Sequence, residues 1–187
     1  MKKFELTAEF VTNVFGKKLF RIKALVAFGN VDKGELGGFI ENEDNLSHDG
    51  NAWVSGDARV FGNARVFGNA QVSGDAWVSG DAWVSGDAQV SGNARVSGNA
   101  RVSGDAQVSG DADYAVVTGY GRYFRSTTFF RCKDKILRVQ CGCFYGDLAQ
   151  FREIVKKTHG DSKYAKEYLA IAELMELHFS DECGCEQ

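Results

Sequence analysis

Between Tyr120 and Arg138 the sequence interleaves cations (Arg122, Arg125, Arg131, Lys133, Arg138) with rings (Tyr120, Tyr123, Phe124, Phe129, Phe130). Guanidinium forks grip phosphate oxygens, and aromatic faces stack on nucleobases. Tyr120, Arg122, Tyr123, Arg125 and Arg131 are therefore the candidate ligand-binding residues. The competing expectation is a hairpin that covers a core with its rings and turns its arginines outward.

Other residue types invite other chemistry. Cys132, Cys141, Cys143 and His159, with Cys183 and Cys185 near the end, are the kinds of side chain that hold zinc. Cys141-Gly142-Cys143 is spaced more tightly than the usual interval, however. The expectation is no metal and no cofactor. The three histidines, His48, His159 and His178, assemble no nucleophile, base and orienter with any neighbour in sequence, so no catalytic residue is assigned.

These residues follow a stretch of unusual regularity. From Gly50 to Ala112 the chain repeats Gly, Asp or Asn, Ala, any residue, Val, then Ser or Phe. Even positions are small or apolar and odd ones mostly polar, the alternation of a half-buried strand. One strand of that length would run roughly 200 Å at ~3.3 Å per residue, so the chain must turn, and each Ser-Gly-Asp/Asn step supplies turn chemistry. A strict short repeat that cannot bury its apolar face alone stacks on its own copies. A β-solenoid is predicted.

Val54-Ser55-Gly56-Asp57-Ala58-Arg59 and its successors resemble the hexapeptide repeat of left-handed parallel β-helices. The resemblance implies a left-handed triangular coil of three hexads, so that residues eighteen apart stack in columns. Gly34 to Glu41 with Asn45-Leu46-Ser47 is similar to the entry segment of hexapeptide-repeat proteins of bacteria and their phages. Thr127 to Arg131, Cys141 to Gly146 and Thr158 to Asp161 likewise resemble the carboxyl end of phage and prophage proteins.

Sorted by coil face, the variable slot gives three columns: Trp53, Gln71, Gln89, Gln107; Arg59, Trp77, Arg95, Asp113; and Arg65, Trp83, Arg101. Such ladders stabilise a solenoid by side-chain hydrogen bonds and cation–π contacts. Trp53, Trp77, Trp83, Phe61 and Phe67, with Arg59, Arg65, Arg95 and Arg101, are also expected to face outward as an interface, since exposed rings with arginine dominate binding hot spots. The resemblance implies a homo-oligomer, a trimer about the helix axis being favoured. Stacked carboxylates (Asp57 on Asp75, Asp87 on Asp105) are expected to cap turns rather than hold cations.

The fold class is thus mainly β: a left-handed parallel β-helix with an amino-terminal β cap over residues 1–40, the solenoid over 41–118, and an α+β cap over 119–187. In the last unit, Thr127–Cys132 and Ile136–Cys141 form a hairpin, followed by helices starting at Asp147 and near Ser162. Ile40 and Leu46 count into the alanine slot, and His48 into the valine slot as a buried structural residue. Its rival role is the base of a hexapeptide acyltransferase, but no loop interrupts residues 50–112 to clasp an acyl donor.

A net charge of −3 argues against duplex nucleic acid as partner, and no apolar run approaches the ~20 residues of a membrane span. Cysteines confined to the last third, in odd number, fit reduced thiols in a cytoplasm. The expected function is non-catalytic binding by a protein of phage or prophage origin, inhibiting a host defence by holding a host protein or a nucleotide signal. The alternatives are the acyltransferase and a purely structural, self-assembling solenoid.

Overall fold

The computed structural model describes residues 1–180. Cys183 and Cys185 lie outside them.

The chain enters on a hairpin, β1 (Phe4–Thr12) and β2 (Lys18–Ala24), turned at Asn13, whose Oδ1 accepts the amides of Phe15 and Lys17 at 3.0 Å. β3 (Leu36–Ile40) pairs antiparallel with β2. Ten two-residue strands follow, one per hexad: β4 (Trp53–Val54), β5 (Arg59–Val60), β6 (Arg65–Val66), β7 (Gln71–Val72), β8 (Trp77–Val78), β9 (Trp83–Val84), β10 (Gln89–Val90), β11 (Arg95–Val96), β12 (Arg101–Val102) and β13 (Gln107–Val108).

These short strands form three parallel ladders in the columns the repeat predicts, except that Asp113, counted above Arg95, lies instead in a short 3-10 turn over Asp111–Asp113. Trp53 pairs with Gln71, Gln71 with Gln89 and Gln89 with Gln107; Arg59, Trp77 and Arg95 form the second column, and Arg65, Trp83 and Arg101 the third. The alanine and valine slots from Ala52 to Val108 are buried and make the core. The chain is a parallel β-solenoid of about four turns. In the Asp/Asn slot, Asn51 donates to Asn69 at 3.2 Å, Asn69 to Asp87 and Asn63 to Asp81 at 3.0 Å, so amides and carboxylates bond along the stack.

Both ends of the stack carry a polarity. An outward-slot amide donates to an alanine carbonyl one coil on, as Trp53 does to Ala70 and Trp77 to Ala94. The first coil is thus left with carbonyls lacking a donor, and the last with amides lacking an acceptor. The amino-terminal cap supplies donors: Lys3 Nζ reaches the carbonyls of Ala52 (2.8 Å) and Gly50 (3.3 Å), and Asn45 Nδ2 those of Ala64 (2.8 Å) and Gly62 (3.0 Å). The carboxyl-terminal end supplies acceptors. Asp111 takes the Arg95 amide at 3.0 Å, Thr128 Oγ1 that of Arg101 at 2.9 Å, and Asp113 those of Ser109 (2.8 Å) and Gly110 (3.0 Å).

The first coil departs from the counted register. Ile40 pairs with Val60 and Leu46 bridges to Val66, so both hold the valine slot rather than the alanine slot. Two extra residues between Leu46 and Val54 account for the shift. His48 therefore lies in a longer turn instead of the valine slot; half-buried, it stacks on Phe4 at 4.3 Å and accepts the Lys3 amide at 3.2 Å.

Two rings expected to face outward are buried. Trp53, 2% exposed, meets Phe28 edge-on at 5.4 Å, and Phe61 packs with Leu19 of β2 and Phe39 of β3. The cap wraps over the variable slot of the first coil as well as its rim, which no pattern inside the repeat indicates.

Above the solenoid, β14 (Tyr114–Tyr120), β15 (Arg125–Arg131), β16 (Leu137–Cys141) and β17 (Phe144–Asp147) form an antiparallel meander. The sheet starts at Tyr114, ahead of the Gly119 break. Alternation along β15 sends Phe130 into the solenoid core and Phe129 against the helices. Helix α1 (Leu148–His159) starts with reciprocal bonds between Asp147 and Gln150 and stops at Gly160; α2 (Lys163–His178) is capped by Ser162. Leu148, Phe151 and Val155 face Tyr168, Ile171 and Met175 across the helix pair and cover one side of the sheet.

Candidate ligand-binding site

The Tyr120–Arg138 segment splits between its two readings. Phe129 and Phe130 are fully buried, whereas Tyr120, Tyr123 and Phe124 are exposed by 46%, 63% and 72%. Arg131 leaves the exposed group as well: it donates to the Phe179 carbonyl at 3.0 Å, lies over the Phe179 ring at 5.7 Å and approaches Asp113 at 3.9 Å. Arg138 bonds Asp134 at 2.6 Å across the β15–β16 turn. These parts are structural, and the surface chemistry concentrates between Tyr120 and Arg125.

There the chain turns from β14 to β15. Gly121, at φ +73°, lies so close to α2 that an added Cβ would sit 2.0 Å from the Tyr168 hydroxyl, and its amide donates to Glu167 Oε2 at 2.9 Å. Phe124 holds a left-handed conformation (φ 51°), uncommon for a ring-bearing residue. Anchored in this way, the turn presents Arg122 and Arg125 against the Tyr123 ring, at 5.5 and 5.0 Å from its centroid.

Arg122, Tyr123 and Arg125 form the mouth of a hollow of about 220 Å³. Its floor is apolar: Phe144 from β17, and Phe151, Ile154 and Val155 from α1. Its polar edge is Thr158, His159, Tyr168 and the two cysteines of the 141–143 turn. His159 and Tyr168 rings stand 5.8 Å apart at 31°. The Tyr168 phenol is pushed up to about 12 by burial and by Cys141 beside it, so at neutral pH it is a hydroxyl and not a base.

The remaining expectations are distributed elsewhere. Tyr120 ends β14 outside this hollow. Cys132 is buried against the solenoid, where burial pushes its thiol up, while Cys141 accepts from Thr127 Oγ1 at 3.2 Å. Among the described residues no three His, Cys, Asp or Glu side chains gather at one point. His178 packs on Phe179. On the solenoid, Trp77 is half-buried between Arg59 (5.4 Å) and Arg95 (5.2 Å), a ladder worth about 0.5–1 kcal/mol per contact. Trp83, 40% exposed, carries Arg101 at 4.9 Å and Phe67 edge-on at 5.9 Å, and with Arg65 borders a hollow of about 500 Å³.

Residues 58–71, 70–86, 88–104 and 94–110 match the family model of the YdcK beta solenoid repeat. The chain is a repeat β-solenoid protein. No curated protein matches it. The family match lies within the stack, from residue 58 to residue 110, and stops before the hollow behind Arg122.

Sequence reasoning missed Tyr168, Glu167, His159 and Ile154 as parts of this site. Tyr168 shares a helical stripe with Ile171 and Met175, and a ring in such a stripe reads as core. The Arg-aromatic interleaving was the usable signal, and it located the turn but not the helices behind it.

Proposed function

We propose that the protein is a non-catalytic binding protein whose ligand site is the hollow behind Arg122, Tyr123 and Arg125. The observation that carries this reading is the pairing of two guanidinium groups around one exposed ring at the mouth of an apolar hollow. Phosphate oxygens match the first and a flat heterocycle the second. The turn is held by Glu167 and the close approach to Tyr168, so its order is established before ligand arrives. Tyr168, a neutral hydroxyl at neutral pH, contributes a hydrogen-bonding group to the site.

A ring-bearing phosphate, such as a nucleotide, is the ligand class that fits. The resemblance to phage and prophage proteins gives this chemistry a context, the capture of a host nucleotide signal. Calorimetric titration with nucleoside monophosphates tests it. Saturable binding is expected, weakened about tenfold or more by Arg122→Ala or Arg125→Ala, the scale of a charge-assisted hydrogen bond. No binding by the unaltered protein, or equal affinity in the variants, would contradict it.

A second reading, self-association, is favoured by Trp83: it is exposed at the centre of the Arg65–Trp83–Arg101 column, beside Phe67.

A further inference from the structure

A second hollow, about 440 Å³, adjoins the first. Asn99 and Arg101 of the solenoid form one wall, and Arg125, Ser126, Gly142 and Cys143 of the carboxyl-terminal sheet form the other. Arg125 and Cys143 also border the smaller, apolar hollow, so one guanidinium lies between the two spaces. The chemistry differs in balance: the rings and aliphatic side chains belong to the smaller space, and the larger is lined by arginine, hydroxyl, amide and thiol groups without a ring.

We infer that the two hollows form one composite site for a nucleotide carrying more than one phosphate, its base in the apolar hollow and its phosphates between Arg125 and Arg101. The inference rests on the ligand class proposed above. Three observations lead to it beyond that class. First, the apolar hollow is smaller than the ~300 Å³ at which small-molecule sites usually begin, so it accommodates a base and leaves sugar and phosphates to be housed elsewhere. Second, the polar hollow opens beside it with Arg125 in common. Third, Arg101, Arg122 and Arg125 lie over rings, Trp83 and Tyr123, and among the described residues none of the three is paired with a carboxylate. One phosphate carries about −1.5 to −2 charges and leaves such a cluster under-neutralised, whereas a second phosphate completes it.

The composite site also assigns a role to the join between solenoid and sheet. The Arg101 amide donates to Thr128 Oγ1 at 2.9 Å, and Ser103 Oγ bonds Gln140 at 3.2 Å, which fixes the solenoid's third face against β15 and β16. The placement of Arg101 beside the sheet that carries Arg125 is therefore set by these two part-buried hydrogen bonds.

The test compares binding of AMP, ADP and inorganic pyrophosphate to the full chain and to Arg101→Gln. Glutamine occupies the same repeat slot at positions 71, 89 and 107, so this variant keeps the fold. ADP is expected to bind at least about tenfold more tightly than AMP, and Arg101→Gln to erase that preference while changing AMP affinity less than about twofold. Pyrophosphate alone is expected to bind more weakly than ADP. AMP binding that depends on Arg122 and Arg125, with no effect of Arg101→Gln on ADP, would overturn the composite site and leave the simpler one standing. Pyrophosphate binding as tightly as ADP would also overturn it, because the apolar hollow would be unused. Failure of both nucleotides to bind would overturn both readings.

Discussion

Lys3 is the residue on which the amino-terminal end turns. Only 3% exposed, it places its ammonium over the Phe28 ring at 4.6 Å and against two carbonyls of the first coil, and burial lowers its pKa from 10.5 to about 8, partly offset by Asp49. A lysine whose folded pKa lies below its unfolded value penalises folding while it is protonated. The penalty is full below pH about 8 and is relieved as pH rises from there towards about 10.5, because the unfolded chain binds the proton more tightly. Thermal melts should therefore show this end gaining stability across that window, and Lys3→Met should flatten the gain. A slope that is unchanged in Lys3→Met would refute the assignment. Nothing near Lys3 in sequence announces this role, since its partners lie at Gly50 and Ala52. Arg122, Tyr123 and Arg125, by contrast, were legible as a local pattern, because residues so close together in a turn share one mouth. The floor and edge beneath them were not, because Phe151 and Tyr168 look like ordinary positions on amphipathic helices.

Among the elements, the turns of the repeat set the coil spacing. Gly80 has φ +68°, and a Cβ there would lie 2.9 Å from the amide nitrogen of Gly98 and 3.1 Å from its carbonyl oxygen; Gly98 has φ +65° with nothing within 4 Å. The pair separates two costs. Gly98→Ala should lose about 1–2 kcal/mol, the strain of a left-handed L-residue alone, whereas Gly80→Ala should lose more because two coils must also part. Chemical denaturation checks this, and equal losses would show that the turns do not govern the spacing. The strict recurrence of Gly, Ala and Val made the columns readable residue by residue, down to Arg59 under Trp77. The first coil was misread because a count of six cannot see two residues inserted between Leu46 and Val54. β14 and β17 were missed for another reason: Tyr114–Tyr120 and Phe144–Asp147 carry glycines and little alternation, and they are strands because β15 and β16 offer them edges.

For the whole molecule, the solenoid is a post closed by donors at one end and acceptors at the other, and the proposed ligand site lies in the carboxyl-terminal sheet and helices above it. Burial of Trp53 and Phe61 under the amino-terminal strands and of Trp77 between arginines leaves Trp83 as the most exposed ring of the solenoid. Trp83→Ala should reduce the mass in light scattering from an oligomer, a trimer on the proposed axis, to the 20.5 kDa chain. An unchanged mass would remove the third face as an interface. The central claim, that the hollow behind Arg122 and Arg125 holds a ring-bearing phosphate, is tested most directly by native mass spectrometry of gently purified protein beside the Arg122→Ala/Arg125→Ala double variant. The account predicts an added mass per chain of the order of one nucleotide, present in the unaltered protein and absent from the variant. Bare mass in both, or the same adduct on both, would contradict it.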